Sequence, residues 1–135
     1  MVELRAHEPA TRAWPLTRQR GELGRLRGAL ADTLTAWGWE QRRVEAVVLV
    51  MCEIVTNAHR HTYGQTRLLL TPTHAGIRLG VQDRDRTAPR RRDTGPETEG
   101  GFGLHILDTL ARIWGVEAHP DGKVVWAEID RANPA

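Results

Sequence analysis

The sequence predicts an α/β domain built as a two-layer sandwich, with helices covering one face of a sheet. Three observations carry that prediction. Leu23, Leu26, Leu30 and Leu34, and then a valine-rich stretch over residues 44–55, recur at the spacing of two amphipathic helices. Ile77, Leu79 and Val81 alternate with Arg78, Gly80 and Gln82, the period of a half-buried strand. A third helical pattern from Phe102 is followed by two β-rich runs around Pro120-Asp121-Gly122, a hairpin signal. At 135 residues, 40% hydrophobic and 27% charged, the chain has the size and composition of one globular domain.

The elements follow in order. Residues 1–10 read as a loose lead, 11–130 as the domain and 131–135 as a tail. Residues 11–16 predict a short first strand, placed at an edge because Pro15 cannot donate to a ladder. Thr17 is the expected N-cap of the first helix, and Gly38 its stop. Gly21, Gly24 and Gly28 weaken that helix by roughly 1 kcal/mol each relative to alanine, so packing must support it. The second helix is predicted over residues 40–62, burying Val44, Val47, Val48, Met51, Val55 and Ala58, and ending at Tyr63-Gly64. Residues 67–71 predict a strand stopped by Pro72, with Ala75-Gly76 as the next turn. Residues 84–100 are polar, rich in arginine and without periodicity. The third helix is expected over 102–113, with Leu104, Leu107, Leu110 and Ala111 on one side. Strands over 116–119 and 124–129 complete the chain. Trp37 and Trp39 bracket the junction of the first two helices, and Trp114 and Trp126 are expected in the core between sheet and helices.

Composition removes several functions. No run of about 18 apolar residues is present, and the first residues lack the apolar core of a signal peptide. The single cysteine, Cys52, forms no internal disulfide and is read as core. The expectation is a cytoplasmic protein without a membrane partner. The formal charge is only +2, and the densest basic cluster, residues 84–92, lacks aromatics and contains Asp85. Direct nucleic-acid binding, which calls for a basic face interleaved with aromatic groups, is therefore not expected. His74 and His119 are too scattered for a metal site, His59 is expected at the surface, and His105 is expected to serve packing.

Three clusters could carry chemistry. On the second helix, Glu53, Asn57, Arg60 and His61 share one quadrant: relative to Glu53, Asn57 lies at about 40°, His61 at about 80° and Arg60 at about −20°. An amide oxygen suits Mg²⁺, a carboxylate can act as a general base, and a guanidinium can grip a phosphate. A solvated polar stripe competes equally with that view. Asp83 ends a strand, where it could accept a hydrogen bond from an exocyclic amine or simply form a turn. Gly100-Gly101-Phe102-Gly103-Leu104 precedes a helix, where glycines allow a phosphate to approach the leading N–H groups, or merely form a hinge. No Gly-Lys-Ser/Thr follows, so it is not a P-loop.

In this order the motifs resemble the histidine kinase-like (GHKL, Bergerat-fold) ATP-binding domain, and in particular bacterial anti-sigma-factor serine/threonine kinases and their actinobacterial regulatory relatives. Glu53-Ile54-Val55-Thr56-Asn57-Ala58-His59-Arg60-His61 matches the family's N box. Val81-Gln82-Asp83 matches the start of its adenine box. Gly101-Phe102-Gly103-Leu104, with Leu110 to Gly115 after it, matches its glycine box and the following helix. The resemblance implies a mixed, largely antiparallel sheet and binding of ATP and Mg²⁺. It assigns Mg²⁺ to Asn57, the adenine amine to Asp83, and phosphates to Arg60 and to the glycine box, Gly101, Phe102, Gly103 and Leu104. It places His61 at the ribose and phosphate edge, makes Glu53 the base that deprotonates a serine or threonine, and makes residues 84–100 a lid. It implies an antagonist protein or a sigma factor as partner, and homodimerisation as a family habit. Asp85 departs from the glycine that the family often carries there. Three readings stay open: a kinase, a non-catalytic nucleotide-dependent binding module, and a relative that no longer binds nucleotide.

Overall fold

A computed structural model describes residues 11–61, 65–84 and 100–132. Its elements are β1 (Arg12–Leu16), α1 (Glu22–Ala36), α2 (Gln41–His61), β2 (Thr66–Pro72), β3 (Gly76–Asp83), α3 (Gly100–Leu110), β4 (Ile113–His119) and β5 (Gly122–Asp130). The strands form one sheet in the order β1-β2-β3-β5-β4. Every described pairing is antiparallel, so the parallel component allowed by a mixed sheet does not occur among the described residues. Pro15 lies on edge strand β1, where a missing donor costs least. The expected lead at 1–10, residues 62–64, residues 85–99 of the lid expected over 84–100, and residues 133–135 of the tail expected over 131–135 lie outside the described residues.

Helix α1 starts later than an N-cap at Thr17 would place it. The chain takes positive φ at Arg18 (63°) and again at Gly21 (83°), so the helical path opens only at Glu22, with Gly21 as N-cap and no side-chain cap. Thr17 instead donates from its N–H and its hydroxyl to the Glu22 carboxylate. The far end follows the sequence: Gly38 has φ 87°, its N–H reaches Thr35 O at 3.0 Å, and the Trp39 N–H reaches Leu34 O at 3.0 Å. These are the two bonds of a Schellman stop, and Trp39 buries its ring beyond it.

Helix α2 buries Val44, Val47, Val50, Met51, Ile54, Val55 and Ala58, a wider stripe than the sequence suggested because it meets α1, α3 and the sheet at once. The facing surface of the sheet supplies Leu68, Leu70, Ile77, Leu79, Val81, Val125, Ala127 and Ile129, all buried. Strand alternation sends the other residues to the uncovered face. Trp126 is among them, which corrects its placement in the core. Its ring lies opposite Gly80 and Gly115, under the Arg78 guanidinium at 4.1 Å. A Cβ at Gly115 would come within 3.0 Å of that ring. Trp114 faces the helices, and its indole N–H donates to Asp108 at 2.7 Å.

Helix α3 also differs from expectation. It opens at Gly100 and ends at Leu110; Ile113 begins β4, paired with Glu128. At the opposite end of the sheet from Asp83, Arg43 donates to Asp130 O at 2.7 and 3.2 Å, and Arg131 donates to Gly38 O and Ala75 O. Arg131, counted with the tail from sequence, is thus anchored to the α1–α2 junction.

Two glycine-to-alanine changes should have opposite signs. Gly38→Ala forces positive φ on alanine and brings its Cβ 2.8 Å from the Arg131 guanidinium, a loss of about 1–2 kcal/mol. Gly28→Ala, exposed in mid-helix with no neighbour within 4 Å, should gain up to about 1 kcal/mol. Urea midpoints of the two variants, moving apart around the parent, check both.

Candidate functional site

Glu53 and Asn57 lie one turn apart on α2, both half-buried, and Arg60 is exposed. His61 is the last residue of α2; its side chain lies outside the described residues, as do those of Gly101, Phe102, Gly103 and Leu104. Asp83 is buried at the end of β3. Chain connectivity brings these elements to one end of the sheet. Thr66 pairs with Asp83, and only residues 62–65 separate it from His61, so the gap is at most about 18 Å. The last turn of α2 therefore ends near Asp83. Helix α3 packs on β4 and joins it through two residues, so the chain reverses there. The far end of β4 is His119. That end adjoins Gly122 and Lys123 of β5, and Lys123 pairs with Asp83.

Gly100, Gly101, Phe102 and Gly103 form the first turn of α3 rather than a loop ahead of it. The leading N–H groups of a helix have no partner within the helix, and they carry the positive end of its dipole. The glycine cluster therefore lies at a helix start, where such N–H groups are available to an anion.

Asp83 does not form a turn. Its Oδ2 lies 2.9 Å from the Lys123 ammonium, and its Oδ1 accepts the Lys123 N–H at 3.3 Å. Gly122 makes the approach feasible, since a Cβ there would fall 2.1 Å from Asp83 O. Beside Asp83 on β2, the Thr66 hydroxyl is buried with no hydrogen-bond partner among the described residues. An orphaned buried hydroxyl next to a buried carboxylate fits a site built for a polar ligand. Lys123 was missed from sequence because its importance arises from a register between strands 40 residues apart; its being the only lysine was the available signal.

A second polar cluster lies on the other side of α2. His59, expected at the surface, is half-buried, and its Nε2 lies 3.0 Å from Glu22 Oε1. The Glu22 carboxylate also accepts from Thr17 and from the Arg18 N–H at 3.2 Å, while Arg18 donates to His59 O at 3.1 Å. Burial alone pushes the Glu22 carboxyl up, but the bonds from Thr17, His59 and Arg18 together outweigh it and hold the carboxyl below its ordinary value of 4.5. A cavity of about 410 Å³ adjoins the cluster, lined by Thr56 and His59 on α2 and by residues from the β1–α1 turn; Glu53, Asn57 and Asp83 do not line it. Thr56 and His59 lie at about −60° and −120° from Glu53, against about 40° for Asn57. Glu22 clamps the segment that carries Asn57 from behind, through a contact spanning 37 residues that no local motif announces.

The model of the histidine kinase-like ATPase domain matches residues 16–129, from the end of β1 to the penultimate residue of β5. The chain belongs to this family, and is accordingly an ATP-binding domain of a regulatory class. No individual characterised protein matches it in sequence. Among the described residues no helix is long and apolar enough to cross a membrane.

The Glu22 clamp has a pH signature. Its folded carboxyl titrates below the unfolded one, so its stabilisation is present above pH 4.5 and is lost as pH falls through the folded value. Glu22→Gln should cost about 1.5–3 kcal/mol at pH 7, the usual worth of charged hydrogen bonds. In chemical denaturation from pH 7 down to pH 3, the gap between parent and variant should narrow only below the unfolded value.

Proposed function

We propose that the domain is an ATP- and Mg²⁺-dependent protein serine/threonine kinase of the anti-sigma-factor type. Its substrate is a serine or threonine on a small antagonist protein, and its other partner is a sigma factor. The observation that carries this reading is the pair Glu53 and Asn57, one turn apart and half-buried on α2; Asp83, buried at the end of β3, and the glycines at the start of α3 support it.

Each residue then has a task. Asp83 accepts from the adenine amine, beside the orphaned Thr66 hydroxyl. The leading N–H groups of α3, in the turn that opens with Gly100, Gly101 and Phe102, hold phosphate oxygens. The Asn57 side-chain oxygen occupies one position on a largely hydrated Mg²⁺. Bound Mg²⁺ would supply neutralisation of charge on the phosphates. Arg60, exposed on the same quadrant, adds a guanidinium, and His61 is assigned the ribose and phosphate edge on the family resemblance alone. Glu53 takes the proton from the substrate hydroxyl as that oxygen bonds the γ-phosphorus and the bond to the ADP oxygen breaks. Half-burial suits this base: a packed helix orients it, yet a hydroxyl on another protein can reach it.

A second reading is a nucleotide-dependent binding module without phosphoryl transfer, which requires Asn57, Asp83 and the glycines but not Glu53. The readings separate by experiment. Glu53→Gln should lower transfer from radiolabelled ATP to a cognate antagonist by at least about 100-fold with ATP affinity intact. Asn57→Ala should remove the Mg²⁺-dependent part of binding. Transfer unaffected by Glu53→Gln sinks the kinase assignment, tight binding without transfer to any partner supports the module, and no effect of ATP on thermal stability shows that nucleotide binding has been lost.

A further inference from the structure

At the buried end of this site the Asp83 carboxylate does not stand alone. Thr66, Asp83 and Lys123 stand side by side across β2, β3 and β5, all on the helix-facing surface of the sheet. The Asp83 and Lys123 side chains are 4% and 17% exposed, and Oδ2 lies 2.9 Å from Nζ. A carboxylate oxygen and an ammonium at that separation form an acceptor and a donor next to each other. The edge of a 6-aminopurine has the complementary order, an amine that donates and ring nitrogen N1 that accepts. A side-chain amide reads adenine by the same logic of adjacent donor and acceptor.

We infer that Lys123 is a specificity-determining residue that donates from Nζ to N1 of the purine while Asp83 accepts from the exocyclic amine. The inference rests on the nucleotide-binding reading above and names the group that selects the base. Sharing is chemically allowed, since an ammonium has three donors and a carboxylate about four acceptor sites, so the ion pair persists when the base is bound. The bond from the Lys123 N–H to Oδ1 holds the carboxylate in place meanwhile. A 6-oxopurine in the same orientation would set O6 against the carboxylate and N1–H against the ammonium, two repulsive contacts. The Thr66 hydroxyl can donate or accept and adds no discrimination of its own.

Calorimetric titration of the parent chain and of Lys123→Met with ATP and with 1-deaza-ATP, in which C–H replaces N1, tests this. The parent should prefer ATP by roughly ten- to a hundredfold, the worth of one hydrogen bond from a charged donor. Lys123→Met should bind both alike. An equal preference in the variant, or none in the parent, overturns the role of Lys123 and leaves nucleotide binding standing. Failure of the parent to bind either nucleotide overturns the underlying reading itself. A second measurement needs no variant, because Lys123 is the only lysine in the chain. Its acylation, followed by mass spectrometry, should slow about tenfold at ATP ten times its Kd, by mass action. With tripolyphosphate, which has no N1, the rate should stay at its unliganded value. ATP that binds without protecting Lys123 overturns the inference.

Discussion

Helix α2 meets apolar groups over most of its circumference. Val44, Val47, Met51, Ile54 and Val55 are almost completely withdrawn from water, and each such side chain contributes about 1.5–3 kcal/mol by burial. This stripe makes α2 the element that touches α1, α3, β3 and β5 together. The polar arc carrying Glu53 and Asn57 is rigidly attached to the same backbone. Its position is therefore fixed by the core rather than by its own contacts, and the core holds it against the sheet. Two chain crossings, one between β1 and β2 and one between β3 and β4, deliver all three helices to the same face. The opposite face stays uncovered, with Trp126 and Arg78 stacked upon it.

Buried charge marks the joints of this arrangement. Glu22, Arg43 and Asp83 are the charged residues in the buried set, and each has partners distant in sequence. Glu22 joins the β1–α1 turn to α2, Arg43 joins α2 to the end of β5, and Asp83 joins β3 to the start of β5. A carboxylate or guanidinium withdrawn from water costs several kcal/mol unless it is bonded. Removing one partner is therefore felt on both elements it links. Two of these joints bear on candidate site residues: Glu22 steadies the segment of α2 that carries Asn57, and Lys123 steadies Asp83.

What could be read from the sequence divides along the same line. Periodicity exposed both long helices and β3, because burial of one face imposes a local pattern of apolar residues. Glycine at 38 announced its stop, because only glycine accepts that φ without strain. Three placements failed where a choice depended on a distant neighbour. Thr17 has the chemistry of a cap, but two positive-φ residues postpone the helix and Glu22 claims its donors. Trp126 is large and apolar, yet strand parity sends it outward, into space left by Gly80 and Gly115. His59 carries no sign in its neighbours of the carboxylate 37 positions earlier that binds it. The site divides likewise: Glu53, Asn57 and the glycines form motifs within one helical turn, whereas Lys123 joins Asp83 only through the register of β3 with β5.

Different forces hold the two halves of the site. Glu53 and Asn57 sit half-buried on the polar arc of α2, outside the apolar stripe that packs the helix, so either can be exchanged with less disturbance to α2 than a residue of that stripe. Asp83 and Lys123 are instead tied into the ladder of three strands, so a change at either must also satisfy the remaining charge. On the proposed kinase reading, phosphoryl transfer would accordingly be lost by substitution at the one half-buried position Glu53 while the fold persists, whereas a change in the base that is read would require coordinated substitution inside the sheet.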